Sequence, residues 1–164
     1  MPCTATPSAT ERREPLYKHI LVPIDGSPLS ARAVRAASLL AHGIGARLTA
    51  FHVIPPYMPP AAAEEAAVLY AVYSPAQYRK ETQAQATKML ERARAEAKAR
   101  KVPCEIAFVT SDRPWEAIVK AARSKKCDLI VMASHGRRGL SGLLLGSETT
   151  KVLTHSKTPV LVCR

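Results

Sequence analysis

The chain has 164 residues, of which 47% are hydrophobic and 23% are charged, and this composition is typical of a single soluble globular domain. It excludes a transmembrane helix, because no apolar stretch approaches the roughly 20 residues that a membrane span requires. The net charge of +11 admits nucleic acid as a partner. The sequence contains neither a helix-turn-helix nor a zinc-finger pattern, so nucleic-acid binding is a minority hypothesis.

Residues 1–16 are polar, rich in threonine and proline, and without the apolar core of a secretory signal. They predict a flexible tail that precedes one domain over residues 17–164. In that domain, apolar runs of strand length alternate with helical patterns. The predicted strands are His19–Ile24, Arg47–Ile54, Val102–Val109, Asp128–Ala133 and Thr158–Cys163. Helices are predicted from Pro28, behind an N-cap at Ser27, to Gly43 and Gly45; over Ala76–Arg100; from Pro114; and over Ser147–His155.

An insertion separates the second strand from the long helix. Four prolines occur between Pro55 and Pro60 and interrupt any regular element, and the alanine-rich stretch behind them is ambiguous. We therefore interpret residues 55–75 as a proline-rich insertion. It follows a strand end on the ligand side of the predicted sheet, which favours a role as a lid.

The four cysteines, Cys3, Cys104, Cys127 and Cys163, are widely spaced and form no C-x-x-C pair. This spacing indicates neither a zinc site nor a thioredoxin-like site. The last three lie in or beside apolar runs, so we expect buried thiols and a protein of the reducing cytoplasm.

The order of elements predicts an α/β fold. Five strands alternating with four helices are typical of an open parallel sheet with helices on both faces, and right-handed crossovers favour the strand order 3-2-1-4-5. Ligands of such sheets bind beyond the carboxyl ends of the strands, where the winding direction reverses. In this order, that place lies between strand 1, which ends at Asp25, and strand 4, which ends in the glycine-rich stretch ASHGRRGLSGLLLGSETT from Ala133 to Thr150.

The glycine-rich connection suits a phosphate chain. From Ser134 to Gly146 it is about twice as long as the roughly 2–6 residues usual between a strand and a helix. Glycine-rich backbone forms anion-binding nests, an expected N-cap at Ser147 opens a helix whose positive end attracts anions, and Arg137 and Arg138 add cationic donors. Neither the Walker A nor the G-x-G-x-x-G pattern is present. From these residues alone, a loop without a ligand is an equally good interpretation.

Several motifs, in the same order, resemble those of the universal stress protein family. Its ATP-binding members carry G-x-x-G, nine residues and then G-S or G-T after strand 4, and here Ala133-Ser-His-Gly136 is followed by nine residues and Gly146-Ser147. The other family motifs have these counterparts: V-P-x-D at Val22–Asp25, H-V at His52–Val53, D-L-I-V-M at Asp128–Met132, and T-P-V-L-V at Thr158–Val162. The resemblance extends over Tyr17–Arg164, nearly the whole chain.

The resemblance implies an ATP site at these positions. Pro23 and Asp25 would line the base pocket, and Val53 would meet the adenine edge through its backbone. The ribose and phosphates would be surrounded by Ala133, His135, Gly136, Arg137 and Arg138. The terminal phosphates would be capped by Gly146, Ser147 and Glu148, with Mg²⁺ or Mn²⁺ bridging them.

Three of these residues have a second interpretation. Ala133 replaces the first glycine of the motif, which an alanine can do in a β conformation but not at positive φ. Glu148 would repel a phosphate chain unless a metal bridges them or its carboxylate points away. Asp25 is also a candidate for capping the first turn of the first helix.

The predicted activity is a switch rather than an enzyme, because no catalytic constellation is recognisable. Members of the family usually bind nucleotide as stress-response sensors and often pair as homodimers through the last strand, here Pro159–Cys163. The leading hypothesis is an ATP-binding cytoplasmic regulator with slow or no hydrolysis and no membrane partner. One alternative is a slow ATPase or autophosphorylating enzyme. The other is a nucleotide-free dimer that binds an acidic partner or nucleic acid through its basic surface, including the helix over Arg79–Lys101.

Overall fold

The computed structural model describes residues 15–58, 74–136 and 145–164. Residues 1–14, most of the predicted lid, and Arg137 and Arg138 lie outside these ranges, so the predictions about them stay predictions. None of the described helices is both long enough and apolar enough to cross a membrane.

Strands and helices alternate along the described residues as predicted. The strands are His19–Pro23 (β1), Arg47–Ile54 (β2), Cys104–Thr110 (β3), Leu129–Ala133 (β4) and Val160–Cys163 (β5). The helices are Pro28–Ile44 (α1), Pro75–Ala99 (α2), Pro114–Ser124 (α3) and Ser147–His155 (α4). About half of the predicted ends shift by one or two residues. β5, for example, begins after Pro159, whose carbonyl accepts a hydrogen bond from Ile130 but which has no N–H of its own.

The five strands form one sheet in the order β3-β2-β1-β4-β5, which confirms the predicted fold class. Every neighbouring pair of these strands is parallel. Helices α1 and α2 cover one face, and α3 and α4 cover the other. Because both faces are covered, β1 buries Ile20 and Val22 on one side and Leu21 on the other, which explains its continuously apolar sequence.

The starts of α1 and α2 follow from local sequence. The N-cap of α1 is Ser27, as predicted, and its Oγ accepts the N–H of Ser30 at 3.1 Å. Ser74 caps α2 in the same way, accepting the N–H of Gln77 at 3.2 Å. A proline occupies the first position of both helices, where its missing N–H has no intrahelical acceptor to lose. Each helix therefore starts at a serine–proline pair.

Three helices end with one residue in the left-handed conformation. At the end of α1 this residue is Gly45, with φ +73°, whereas the predicted stop at Gly43 is wrong because the helix continues through it. Lys101 and Lys126 take the same place after α2 and α3, with φ +59° and +54°. In each case the next N–H bonds back to the carbonyl five residues earlier, which closes the helix. A side chain in this conformation costs roughly 1–2 kcal/mol, which glycine avoids.

Replacing Lys126 with glycine is expected to raise the free energy of unfolding by about 1 kcal/mol, because glycine adopts a positive φ without steric cost. Urea unfolding followed by circular dichroism measures the change. The control is Lys125→Gly at φ −87°, where glycine relieves nothing and gains entropy in the unfolded chain, so stability falls or is unchanged. Equal effects of the two substitutions would contradict the left-handed conformation of Lys126.

The predicted burial of the cysteines is correct for one of the three described. Cys127 is buried, and desolvation raises the pKa of its thiol to about 11. Cys104 and Cys163 are half-buried because they lie on β3 and β5, the two edge strands. Burial raises the pKa of both thiols as well, so all three remain protonated at neutral pH.

Candidate functional site

The carboxyl ends of β1 and β4 meet, as the strand order predicts. Pro23 is the last residue of β1, and Asp25 follows two residues later. A Cβ atom added to Gly136, beyond the end of β4, would lie 2.7 Å from Asp25 Oδ2. Side-chain carbons do not approach an oxygen this closely, so a glycine is what lets the loop backbone pass against the carboxylate. A larger residue at position 136 would have to displace Asp25.

Asp25 is held by the turn that precedes α1. Its Oδ1 accepts the N–H of Ser27 at 3.0 Å, and Ser27 in turn caps the helix. The oxygen beside Gly136 is the other one, Oδ2. Asp25 therefore stabilises the turn before α1, whereas the first turn of α1 itself is capped by Ser27 and not by Asp25. The hydrogen bond from Ser27 also fixes the orientation in which the carboxylate meets the loop after β4.

The end of β2 is hydrogen-bonded to the end of β1. Val53 is half-buried and lies in the β2–β3 ladder opposite Val109. Its neighbour His52 donates a hydrogen bond from Nδ1 to the carbonyl of Ile24 at 2.6 Å, and the N–H of Ile24 bonds to Phe51 at 2.8 Å. His52 therefore positions the turn that carries Asp25. The sequence motif contained this histidine, but no role followed for it without the parallel register of β1 and β2.

The start of α4 is fixed to the end of β4 by two hydrogen bonds. The N–H of Gly146 donates to the carbonyl of Ser134 at 2.7 Å. The hydroxyl of Thr149, a buried side chain, donates to the carbonyl of Ala133 at 3.0 Å. The long glycine-rich connection thus returns to the strand end from which it departs.

Gly146, not Ser147, is the N-cap of α4, so the predicted serine cap is wrong. Gly146 has φ −74° and ψ 155°, the extended conformation of a cap, and Ser147 is the first helical residue. The physical reason is space: a Cβ on Gly146 would lie 3.1 Å from His135 Cα and 3.2 Å from its Cβ. A serine cap has no room at the position that packs against the strand end.

Ala133 fits the place of the first glycine in the motif. It is the last residue of β4, pairs with Cys163 of β5 and is 8% exposed. Among the described residues other than glycine, only Lys101 and Lys126 have positive φ. Ala133 therefore has the strand conformation in which an alanine is accommodated.

Among the described residues, three amides in the first turn of α4 have no acceptor in the helix or in a side-chain cap. The N–H of Gly146 is used by β4 and that of Thr150 by the helix, which leaves those of Ser147, Glu148 and Thr149. The starts of the other three described helices all have a side-chain acceptor. Three aligned amides at the positive end of a helix dipole form a site for an anion.

Glu148 is directed toward the neighbouring helix. Its Oε2 accepts the N–H of Trp115 at 2.9 Å, and its Oε1 accepts from Lys151 Nζ at 3.1 Å. The carboxylate thereby caps α3, whose own N-cap residue, Arg113, makes no side-chain cap. Its charge is offset by Lys151 and by the start of α3. This is the orientation under which Glu148 is compatible with a nearby phosphate chain.

Two buried polar atoms at the end of β4 lack partners among the described residues. They are Oγ of Ser134, whose residue is fully buried, and Nδ1 of His135. Buried polar atoms in proteins are nearly always hydrogen-bonded, so these two atoms have room for a partner such as an ordered water, an ion or a ligand. His135 was predicted as a site residue. Ser134 was not, because the motif leaves that position unspecified.

No group of three or more His, Cys, Asp or Glu side chains within the described ranges is arranged to hold a metal ion. The two carboxylates at the site, Asp25 and Glu148, already accept hydrogen bonds from Ser27, Trp115 and Lys151. A divalent cation at this place would therefore depend on oxygens that a ligand supplies.

The fold and the site define a doubly wound α/β protein in which a helix without a side-chain cap from its N-cap residue begins where the winding reverses. Residues 16–164 match the model of the universal stress protein family, and the chain belongs to that family. A universal stress protein of Thermus aquaticus is 36% identical over 156 residues, which are 91% of this chain and 100% of that relative.

Two solved structures are similar over most of their length. The structure of the hypothetical protein MJ0577 has a TM-score of 0.73 and 27% identity, covering 90% of this chain and 95% of that one. A universal stress protein solved in complex with cAMP has a TM-score of 0.64 and 29% identity, covering 89% and 95%. Both the family and the fold expected from the sequence motifs are confirmed.

Replacing Gly146 with alanine is expected to lower the free energy of unfolding by roughly 1–3 kcal/mol, because the added methyl group presses on the backbone of His135. Gly43→Ala is the control: nothing lies within 4 Å of a Cβ there, and the position is helical, so stability rises by about 0.5–1 kcal/mol. Urea unfolding of the two variants is the measurement. A Gly146→Ala protein as stable as the wild type would contradict the close packing of α4 on β4.

Removing the carboxylate of Glu148 is expected to destabilise the start of α3, which loses its side-chain cap. Glu148→Ala should lower the free energy of unfolding by roughly 0.5–2 kcal/mol, the usual cost of a lost helix cap. Glu116→Ala is the matched control, since Glu116 lies in the first turn of α3 but pairs only with exposed Arg113, and about 0.5 kcal/mol or less is expected. Hydrogen exchange of the Trp115 amide should accelerate in the first variant alone, and unchanged exchange would overturn the capping role.

Proposed function

We propose that this universal stress protein binds ATP where β1, β4 and α4 meet, and that it acts as a nucleotide-dependent regulator of a stress response in the cytoplasm. The observation that carries the proposal is the start of α4, which has no side-chain cap within the described ranges and lies beside the buried hydroxyl of Ser134, itself without a partner there. The cAMP complex of a relative with 29% identity supports an adenine nucleotide as the ligand. In this proposal the nucleotide is a signal, and it is hydrolysed slowly or not at all.

In this proposal the phosphates of ATP lie on the glycine-rich side of the site. The free amides of Ser147 to Thr149 and the positive end of the α4 dipole supply donors for the terminal phosphates. Arg137 and Arg138 add cationic donors from the connection between β4 and α4. Gly136 and Gly146 keep this space clear of side chains, and Ser134 and His135 offer a hydroxyl and a ring nitrogen to the ribose and phosphates.

The nucleoside of ATP is proposed to lie on the side of the site formed by the ends of β1 and β2. Asp25 lies beside Gly136, between the two parts of the site, where its carboxylate is an acceptor for ribose or base donors. Pro23 and the backbone of Val53 line the base pocket on the other side. The hydrogen bond from His52 to Ile24 keeps these strand ends in register, so the base pocket is formed before the ligand arrives.

The hydrogen bonds that Asp25 and Glu148 accept support slow hydrolysis of the bound ATP. A hydrolase needs a base that orients a water molecule against the γ-phosphate. The two nearby carboxylates each have assigned donors, Asp25 from Ser27 and Glu148 from Trp115 and Lys151. Mg²⁺ or Mn²⁺, when present, would be held chiefly by the phosphate oxygens it bridges.

We also propose a homodimer through β5. This strand is an edge of the sheet, and Leu161 at its centre is 44% exposed. Unpaired edge strands tend to associate, and a second copy paired along Pro159–Cys163 would cover both the backbone groups and the leucine.

The deciding experiment is calorimetric titration of ATP with Mg²⁺ into protein freed of bound nucleotide. The wild type is expected to bind with micromolar affinity, and Gly136→Val to lose at least tenfold, because its side chain must displace Asp25. Gly43→Val is the control, since Gly43 lies in open space near the far end of α1. Undiminished binding by a folded Gly136→Val protein, or no binding by the wild type, would refute the proposed site.

A further inference from the structure

The end of the sheet opposite the nucleotide site is strongly basic. Because the strands are parallel and the helices return between them, the strand starts and helix ends collect at that end. We call it the amino-end surface. Its cations are Lys18, Arg47, Lys98, Arg100, Lys101, Arg123, Lys125, Lys126 and Lys157, and its carboxylates are Glu96, Glu105 and Asp128.

Each of the three carboxylates of the amino-end surface already pairs with a cation or accepts backbone hydrogen bonds. Glu105 accepts from Arg47 at 3.3 Å and lies 3.9 Å from Lys125 Nζ, so one carboxylate serves two cations. Glu96 pairs with Arg100 at 2.6 Å. Asp128 is used by the backbone, where its two oxygens accept the N–H groups of residues 18 and 19 at the start of β1.

An excess of exposed cations remains. Five side chains of the amino-end surface are exposed and pair with no carboxylate of the described residues: Lys98, Lys101, Arg123, Lys126 and Lys157. Helix dipoles favour a cation in the last turn of a helix, which accounts for Lys98 and Arg123. The dipole does not account for the remaining three, which lie beyond the helices.

Lys101 and Lys126 have a left-handed backbone conformation that residues other than glycine seldom adopt. Both have positive φ, in the position where α1 uses Gly45. A lysine at such a position lowers stability relative to glycine, and a locally unfavourable residue of this kind points to a role other than folding. The two residues follow α2 and α3, which cover opposite faces of the sheet, so they flank the surface from both sides.

We propose that the amino-end surface binds the phosphate backbone of duplex nucleic acid without sequence preference. The sheet is about 19 Å wide at roughly 4.8 Å per strand, enough to span several phosphates of a duplex that carries one charge per about 1.7 Å of its axis. The aromatic side chain described there, Tyr17, packs against the core and offers no platform for unpaired bases. The ligand is therefore a charged backbone, and this function is independent of the nucleotide site.

Fluorescence anisotropy with a labelled 20-base-pair duplex of mixed sequence tests the proposal on the full chain, from 50 to 200 mM KCl. Binding is expected at 50 mM KCl and to weaken steeply with salt. Lys101→Gln/Lys126→Gln should lower affinity at least fivefold and reduce the slope of log K against log salt by about 1.8, or 0.9 for each lost phosphate contact. Lys88→Gln/Arg92→Gln removes two charges from the exposed face of α2 and should change affinity less than twofold.

A third variant separates binding from folding. Lys101→Gly/Lys126→Gly should bind as weakly as the glutamine variant while its melting temperature rises, because the left-handed strain is relieved. Equal loss in the α2 control would mean that net charge alone is responsible, and it would overturn the proposal. So would absence of duplex binding by the wild type at 50 mM KCl, including the case in which vesicles with 30% phosphatidylserine bind instead.

Discussion

The close contact between the start of α4 and the end of β4 is the constraint on which the candidate site depends. The bond from Gly146 to Ser134 brings the helix so near the strand that a side chain at position 146 would strike His135. Residue 146 therefore cannot supply a side-chain cap, and among the described residues no side chain caps the first amides of α4. Packing and ligand chemistry are thus two results of the same short distance between Gly146 and His135.

The parallel sheet separates the charges of the protein into two ends with different chemistry. At the carboxyl end, Asp25 accepts an N–H of its own turn and Glu148 accepts one from α3, so the acidic residues there organise the framework. At the amino end, carboxylates are outnumbered, and lysines continue past the helix ends into conformations that glycine would hold more easily. The two proposed ligands are both anionic, but one is recognised by oriented amides and the other by mobile ammonium and guanidinium groups.

The architecture was readable from the sequence because it depends on patterns within single segments. Strands buried on both faces are continuously apolar, as Ile20 to Val22 show, and the crossover rule then orders them. The meeting of Asp25 with the glycine-rich loop followed from that order. The remaining features depend on distances between segments. Glu148 reaches Trp115 across 33 positions of the chain, and the serine expected to cap α4 is excluded by His135. Neither contact has a local sequence signal.

The bond between Glu148 and Trp115 has a consequence for spectroscopy. Trp115 is the one tryptophan of the chain, its amide is held by α4 through Glu148, and its indole ring lies edge-on to His155 at 4.5 Å, at the other end of α4. The indole is thus in contact with the same helix whose first turn contributes to the proposed anion site. Because tryptophan emission depends on the surroundings of the ring, the emission of Trp115 is expected to change when that helix moves. The intrinsic fluorescence of Trp115 can therefore be used to follow movement of α4 in the unlabelled chain.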